Sequence, residues 1–151
     1  HERYDMGSTR KVVSYKGVRI LLSVCYDLRF PVWLRQQPGE EAHFEYDALL
    51  CVANWPAPRR QPWRTLLQAR AIENLSYVIG VNRVGEDAKG MAYSGDSMLV
   101  DFKGEPVIDR PAGEAFVETG ALDLEALAQF REKFPAWQDA DRFQLLPGVG
   151  Q

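Results

Sequence analysis

The sequence has little cysteine and histidine and no excess of basic residues. Its 151 residues include two cysteines, Cys25 and Cys51, and two histidines. This excludes a disulfide framework and suits a reducing compartment. The 18 basic and 21 acidic side chains give a net charge of −3, so no basic field predicts binding to nucleic acid or to anionic lipid.

Long apolar runs and cofactor motifs are also missing. No apolar stretch approaches the roughly 20 residues that span a bilayer, and no signal peptide is recognisable, so we expect a cytoplasmic protein with no membrane partner. No group of histidine, cysteine, aspartate and glutamate has the spacing of metal ligands, and no glycine-rich phosphate loop occurs. The sequence therefore predicts neither a metal nor a cofactor.

Apolar periodicity predicts one layered α/β domain with the order ββαβαββββα. Early strand–helix–strand crossings and late hairpins favour a mixed sheet. The predicted strands cover 11–15, 18–24, 46–54, 76–84, both arms of a hairpin within 96–109, and 114–122. The predicted helices run from Pro31 to near Gly39, over 64–75, and over 123–134 with Asp123 as the N-cap. The strand at 18–24 is nearly all apolar, which predicts burial on both faces, and 86–95 is expected to be a loop.

Cys25 lies where the apolar run GVRILLSV ends and the polar turn CYDLRFP begins. The thiolate is the reactive form of a cysteine, and the N–H groups at a helix start favour negative charge. The main-chain N–H groups after Cys25, that of Tyr26 first, are placed to stabilise an oxyanion on a substrate. The position alone leaves two interpretations open, a nucleophile on a strand–helix turn or a small buried side chain.

Four separated segments resemble the nitrilase superfamily, the carbon–nitrogen hydrolases. CYDLRFP resembles its nucleophile segment, and three more segments follow in the family's order: ANWP at 53–56, RRQPWRTLLQARAIENLSYVIGVNRVG at 59–85 and YSGDSMLVDFKGE at 93–105. The likeness covers about 7–143. CYDLRFP, NWP and GVNRVG also resemble a narrower group, the omega-amidases, which hydrolyse the side amide of small 2-oxo acid amides.

The resemblance implies an αββα sandwich with a mixed sheet and flanking helices, of which 1–151 form the C-terminal half. It also implies a Glu–Lys–Cys triad, in which Cys25 attacks the amide carbon, ammonia leaves and water hydrolyses the thioester. The family's glutamate, a general base, and its oxyanion-stabilising lysine lie well upstream, and Lys11 and Lys16 on the first hairpin do not match that lysine. Glu2 lies one or two positions from where the family's second glutamate is expected. The opening HERYDMGSTR, which is typical of a loop entering a strand, also suggests a missing N-terminal half.

Two charged pairs are candidates for ordering the turn that holds the thiol. Asp27 and Arg29 are expected to form an ion pair that fixes this turn, with Arg29 near the substrate, and the alternative is two solvated charges. Arg70 and Glu73 are spaced for a pair on one helix. Because unpaired buried charge is costly, we expect both in a structural network that holds the cysteine turn. Direct catalysis by Glu73 is the alternative.

Three further candidates lie at or near strand ends. Asn54 and Trp55 follow one predicted strand and Asn82 lies in the next. Open α/β sheets bind ligands at the carboxyl ends of their strands, so these residues are candidates for a pocket wall. Core packing of Trp55 and a satisfied buried amide at Asn82 are the alternatives. The same two interpretations, substrate contact or strand-entry turn, apply to Tyr93, Ser94, Gly95 and Ser97.

Other interpretations of the chain remain open. Cys51 lies mid-strand among apolar residues and is expected to be inert core. A Cys–His pair of Cys25 with His43 is a rival mechanism, although His43 lies in an acidic loop. A catalytically silent assembly subunit of the same fold is the alternative function. A homodimer or larger assembly is expected, with contacts from the helix after Arg59 and from the tail aromatics Phe134, Trp137 and Phe143.

Overall fold

A computed structural model describes residues 9–37 and 44–145. Glu2, Gly39 and His43 lie outside the described residues, and so do the predictions made for them. Across the described ranges, no helix is long and apolar enough to cross a bilayer. The same ranges contain no group of three or more histidine, cysteine, aspartate or glutamate side chains that could hold a metal ion.

Eight strands and three α-helices form the described part of the chain. The strands are β1 (Lys11–Tyr15), β2 (Val18–Val24), β3 (Ala48–Ala53), β4 (Tyr77–Asn82), β5 (Val84–Glu86), β6 (Ala92–Ser94), β7 (Met98–Val100) and β8 (Pro106–Asp109). The helices are α1 (Pro31–Leu34), α2 (Arg60–Asn74) and α3 (Leu124–Lys133), with 3-10 segments at Cys25–Arg29, Ala57–Arg59 and Ala136–Asp139.

The predicted mixed sheet is confirmed. Its strand order is β1-β2-β3-β4-β7-β8, and β5 and β6 form a separate two-stranded sheet. The neighbours β2, β3 and β4 run parallel, whereas β1, β7 and β8 pair antiparallel. The parallel strands are joined by crossovers that carry helices, so their carboxyl ends meet at one edge. Cys25, Asn54 and Asn82 all lie at that edge.

Helix α2 covers one face of the sheet. Leu21, Leu49, Cys51 and Val78 of the strands are buried against Trp63, Leu67 and Ala71 of the helix. Gly80 allows this close approach, since a Cβ there would lie 2.5 Å from a methyl carbon of Leu67. Burial of this apolar stripe is the main force that holds α2 on the sheet.

Helix α3 covers only part of the opposite face. Leu127 packs with Ala48, Tyr77, Leu99 and Phe102, and Asp123 caps the helix as predicted, with its carboxylate accepting the Ala126 N–H at 2.8 Å. The rest of this face, towards the carboxyl ends of the parallel strands, is not covered by any of the described residues. Its exposed residues are Leu22, Val24, Val52 and Val81.

Arg131 ties α3 to the start of β3. Its guanidinium donates to the carbonyls of Leu75 and Tyr46 and to the Asp47 carboxylate, at 2.8, 2.9 and 3.0 Å. Burial alone would raise the pKa of Asp47, but the hydrogen bonds from Arg19 and Arg131 outweigh it and lower that pKa. The pair therefore stays ionised at neutral pH.

Four sequence predictions of local structure differ from the structure. The helix expected from Pro31 to near Gly39 begins as predicted but ends at Leu34, because Arg35 adopts an extended conformation. The strand predicted over 76–84 stops at Asn82, and the loop expected at 86–95 contains β6, which pairs with β5. The β2 strand is not buried on both faces, since Leu22 and Val24 point to the bare face, where Val24 is 61% exposed.

The strand predicted at 114–122 does not form. A strand needs a neighbour for its main-chain groups, and this segment lies across the face of β7 and β8 rather than beside an edge. Gly120 makes this approach possible, since a Cβ there would lie 2.5 Å from Leu99 and 2.9 Å from Ile108. Val117 is fully exposed, whereas Leu122 packs against the core beside Leu99, so only one side of the predicted alternation meets a core among the described residues.

Candidate active site

Cys25 occupies a strained turn at the end of β2. Its φ of 43° lies in the left-handed region, which a side chain with a Cβ adopts at a cost of about 1 kcal/mol or more. The residue is half-buried and begins the 3-10 segment. Its Sγ lies 3.9 Å from the carbonyl oxygen of Asn54, on the neighbouring strand end. The side chain is therefore not sealed among aliphatic groups.

The turn after Cys25 is closed by Asp27. Its carboxylate accepts the Val24 N–H at 2.9 Å, across the start of the 3-10 segment. Tyr26 is the second residue of that segment, so its N–H has no carbonyl partner inside the helix, as an oxyanion donor requires. Its ring stacks edge-on against Phe30 at 5.1 Å.

Arg70 reaches from α2 to the cysteine turn. The guanidinium, on a residue only 4% exposed, donates twice to the Leu28 carbonyl, at 3.2 and 2.8 Å. It also donates to the Glu73 carboxylate at 3.0 Å. The structure thus places both residues in a network that holds the turn, and the Glu73 carboxylate is engaged by Arg70.

Asn82 joins two loops at the sheet edge, the one after β3 and the one before β7. Its side-chain oxygen accepts the Trp55 N–H at 2.8 Å, and its amide nitrogen donates to the carbonyls of Trp55 and Gly95, at 3.0 and 2.7 Å. Ser97 completes the set with reciprocal bonds to the Asn82 main chain. Both ends of this buried amide are engaged within the chain, so Asn82 orders the segment that presents the Asn54 carbonyl to Cys25.

Trp55 is packed in the core, and the Arg29 guanidinium covers one face of its ring. It is 3% exposed, its Nε1–H donates to the Arg59 carbonyl at 2.7 Å, and its ring lies against Trp63 at 5.4 Å. The guanidinium of Arg29 lies over the same ring at 4.6 Å. The expected ion pair of Arg29 with Asp27 is wrong, because the Asp27 carboxylate turns back to the Val24 N–H.

Sequence reasoning missed Asp96, which fixes the loop before β7. Its φ is 56°, and its buried carboxylate binds Arg60 at 2.6 Å and Arg64 at 3.4 Å. Burial alone would raise the pKa of the Asp96 carboxyl, but the hydrogen bonds from Arg60 and Ser94 outweigh it and lower that pKa. The available signal was the arginine-rich start of α2, which needs a carboxylate partner.

Tyr93, a candidate for substrate contact, donates its hydroxyl to the Asp87 carboxylate at 3.1 Å.

Two cavities lie elsewhere on the described surface. One of about 440 Å³ lies beside α3, and one of about 890 Å³ lies between α2 and the C-terminal tail. Neither is lined by Cys25. The geometry of the cysteine turn, rather than cavity size, therefore locates the candidate site at an open edge.

The two cysteines should differ sharply in reactivity towards iodoacetamide. Cys51 is 0% exposed, and burial raises the pKa of its thiol to about 11, so only about one in a thousand molecules carries the thiolate at pH 8. Cys25 is accessible and lies at a helix start. Peptide mass spectrometry of the folded protein should show Cys25 alkylated at least about 100-fold faster than Cys51.

Denaturant provides the control for this comparison. Both cysteines should then react at similar rates, because burial no longer distinguishes them. Equal rates in the folded protein would contradict the placement of Cys25 at an accessible edge.

A half-buried cysteine on a strained strand-to-helix turn is typical of α/β enzymes with a nucleophile at that position. The chain belongs to the carbon–nitrogen hydrolase family, whose model matches residues 1–132. The nitrilase-superfamily resemblance and the nitrilase-type α/β fold are thereby confirmed.

Similar proteins agree with this assignment. Omega-amidase YafV of Escherichia coli K12 is 50% identical over 145 residues, which are 96% of this chain and 54% of that protein. The 2-oxoglutaramate amidase of Bacillus subtilis is 32% identical over 139 residues, 92% of this chain and 51% of that protein. XC1258 of Xanthomonas campestris, a CN-hydrolase superfamily protein with an arsenic adduct in its active site, has a TM-score of 0.91 at 46% identity, covering 96% of this chain and 55% of that one. The chain spans about half the length of the relatives it matches.

Proposed function

We propose that the protein containing this chain hydrolyses the C–N bond of a small carboxamide, an ω-amide of a 2-oxo acid, through Cys25. The placement of Cys25 carries the proposal: a half-buried thiol, in a left-handed conformation, at the carboxyl edge of parallel strands. The backbone of Cys25 is a conformational outlier. Such strained residues cluster at active sites, where the surrounding structure holds them in place. The surroundings that enforce it are Asp27 and Arg70.

The reaction has two steps. The thiol of Cys25 gives up its proton, its sulfur forms a bond to the amide carbon, and the C–N bond breaks. The nitrogen takes up that proton and leaves as ammonia. The Tyr26 N–H stabilises the oxyanion during this step. Water then adds to the thioester, the C–S bond breaks, and the acid and the thiol are released.

The names of the relatives support the substrate class. The protein from E. coli is an omega-amidase and that from B. subtilis a 2-oxoglutaramate amidase. Both names describe hydrolysis of an amide at the end of a chain. The match to the E. coli protein covers 96% of this chain at 50% identity.

We further propose that these residues are the C-terminal half of one carbon–nitrogen hydrolase domain. By the family resemblance, the glutamate that serves as base and the lysine come from an N-terminal half. The bare sheet face formed by Leu22, Val24, Val52 and Val81 is the surface for that half, because an exposed apolar patch beside the site needs cover. The unpaired extended segment 114–122 lies at the margin of the same face.

Assembly into a homodimer or larger oligomer belongs to the same proposal. Helix α2 exposes Ile72, and the tail exposes Phe134 and Phe143, beside the cavity of about 890 Å³. A silent subunit of the same fold is the second candidate, since within the described residues Cys25 alone matches the family's triad.

Ammonia release by the full-length protein tests the function. Incubation with 2-oxoglutaramate should release one ammonia per 2-oxoglutarate formed. A full-length protein that carries the upstream glutamate and lysine, is folded, and releases no ammonia from any small amide would establish the silent subunit instead.

A further inference from the structure

The hairpin of β5 and β6 lies at the candidate site. Strand β4 ends at Asn82, and β5 begins two residues later. The Asn82 side chain donates to the carbonyl of Gly95, just after β6, and to that of Trp55, at 2.7 and 3.0 Å. The residue before Trp55 is Asn54, whose carbonyl oxygen lies 3.9 Å from the Cys25 Sγ. The base of the hairpin and the thiol therefore border the same short segment.

Tyr93 is the residue of this hairpin region that keeps an accessible surface. The hydroxyls of Ser94 and Ser97 are engaged within the chain, at 2.6 to 3.1 Å. Tyr93 also donates its hydroxyl within the chain, to Asp87, but the residue remains only half-buried. An accessible aromatic ring offers a surface to the apolar part of a ligand.

The Tyr93 ring is held in one orientation. Its hydroxyl donates to the Asp87 carboxylate at 3.1 Å. That carboxylate is itself fixed by the N–H groups of Lys89 and Met91, at 2.9 and 3.0 Å. The Arg83 guanidinium lies over the ring, 4.6 Å from its centre. A side chain held in this way loses little conformational freedom when a ligand packs against it.

The Tyr93 phenol also lies within range of the charge on Cys25. The pKa of Tyr93 is raised first by burial, then by the hydrogen bond to Asp87 and the charge of Asp87, and to a smaller extent by the Cys25 thiolate, against the opposing charge of Arg83. Partly exposed charges act on each other over no more than about 10 Å. A C–S bond and a non-bonded contact of about 3.5 to 4 Å together fill more than half of this distance. The rest, about 4 to 5 Å, is the length of an extended chain of four or five carbons with bonds of about 1.5 Å.

We propose that Tyr93 forms a wall of the space that receives the acyl chain, and that it limits the substrate to amides of acids with about five carbons or fewer. This inference rests on the proposed function. With the amide carbon at the Cys25 sulfur, a longer chain meets the ring before the thioester can form. Turning the ring aside would break its hydrogen bond to Asp87 and its contact with Arg83.

The test compares amides that differ in chain length alone. Full-length protein is assayed for ammonia release from succinamate, glutaramate, adipamate and suberamate, which differ only in their number of methylene groups. Tyr93→Val removes the ring but keeps a residue that favours strands, Tyr93→Phe keeps the ring, and Tyr93→Trp enlarges it. The control is Tyr15→Val. Tyr15 also has a cation near its ring, the Lys16 ammonium at 5.5 Å, but it pairs with Val18 at the amino end of β2, away from the thiol.

Removal of the ring should extend the range of chain lengths. In the wild type, kcat/KM should fall at least about tenfold from glutaramate to suberamate, since one methylene group too many for an apolar pocket already has an effect of this size. Tyr93→Val should raise the suberamate-to-glutaramate ratio of kcat/KM at least about tenfold. Tyr93→Phe should stay close to the wild-type ratio, Tyr93→Trp should lower the ratio of adipamate to succinamate, and Tyr15→Val should match wild type with every amide.

Four results would overturn the inference. Unchanged ratios in both Tyr93→Val and Tyr93→Trp would place the ring outside the acyl space. Equal losses for all amides in Tyr93→Val would make Tyr93 a residue of hairpin geometry only. A ratio that rises as far in Tyr93→Phe as in Tyr93→Val would assign the selection to the hydroxyl. A wild type that hydrolyses suberamate as well as glutaramate leaves the amidase proposal standing and removes the length limit. Failure of the proposed function differs, because the wild type then releases no ammonia from any amide and the inference falls with it.

Discussion

Replacing Cys25 with alanine in the full-length protein should abolish amide hydrolysis, with kcat reduced roughly 10³-fold or more. The other thiol cannot form the acyl bond, since Cys51 is buried and the pKa of its thiol is raised to about 11. The fold should survive, because Cys25 is only half-buried at the margin of the main core and its replacement removes a single sulfur atom. Ammonia release and circular dichroism measure the two effects separately.

Cys51→Ala is the matched control. This variant also removes one sulfur atom, but from a residue two positions before the end of β3, on the sheet face that α2 covers. A small core cavity costs about 1 kcal/mol, so Tm should fall slightly while kcat stays within about twofold. Loss of activity in Cys51→Ala, together with retained activity in Cys25→Ala, would reverse the roles assigned to the two thiols.

The second large effect is expected at Arg70. Arg70→Met shortens the side chain only modestly but removes three hydrogen bonds, two to the Leu28 carbonyl and one to Glu73. The buried Leu28 carbonyl then loses both side-chain bonds, and the Glu73 carboxylate keeps the Asn74 amide as a donor, at 3.4 Å. The free energy of unfolding should fall by about 2 to 4 kcal/mol, measured by urea denaturation.

Arg110→Met is the control for Arg70→Met, because it removes the same guanidinium from the surface. The Arg110 side chain is 49% exposed, and its guanidinium pairs with Glu118 at 2.7 Å. Since exposed ion pairs contribute little, this replacement should lower stability by less than about 1 kcal/mol. If Arg70 positions the turn, Arg70→Met should also slow alkylation of Cys25 in the folded protein, and Arg110→Met should not. An unchanged alkylation rate in Arg70→Met would limit Arg70 to stability.

The local signals of the sequence predict the centre of the fold well. The ends of β2 and β3, the turn at Cys25 and the cap at Asp123 are predicted from apolar runs that stop at polar residues. These features depend on neighbours within a few positions. For that reason short-range patterns are sufficient to locate them.

The features that were predicted wrongly or missed depend on distant partners. Residues 114–122 alternate like a strand, but no strand of the described chain lies beside them. Proximity in sequence pairs Asp27 with Arg29, yet Asp27 accepts the Val24 N–H and leaves Arg29 on Trp55, 26 positions later. Asp96 meets Arg60 across 36 positions, and nothing local in GDS identifies that pair.

Covalent capture during turnover tests the central claim most directly. Full-length protein reacting with a small ω-amide should be quenched in acid within the first turnovers and analysed as peptides by mass spectrometry. We expect the Cys25 peptide to carry the mass of the acyl group as a thioester that hydroxylamine removes, and the Cys51 peptide to be unmodified. An acyl group on any other residue, or steady ammonia release with both thiols unmodified and the Cys25→Ala variant active, would contradict catalysis through Cys25.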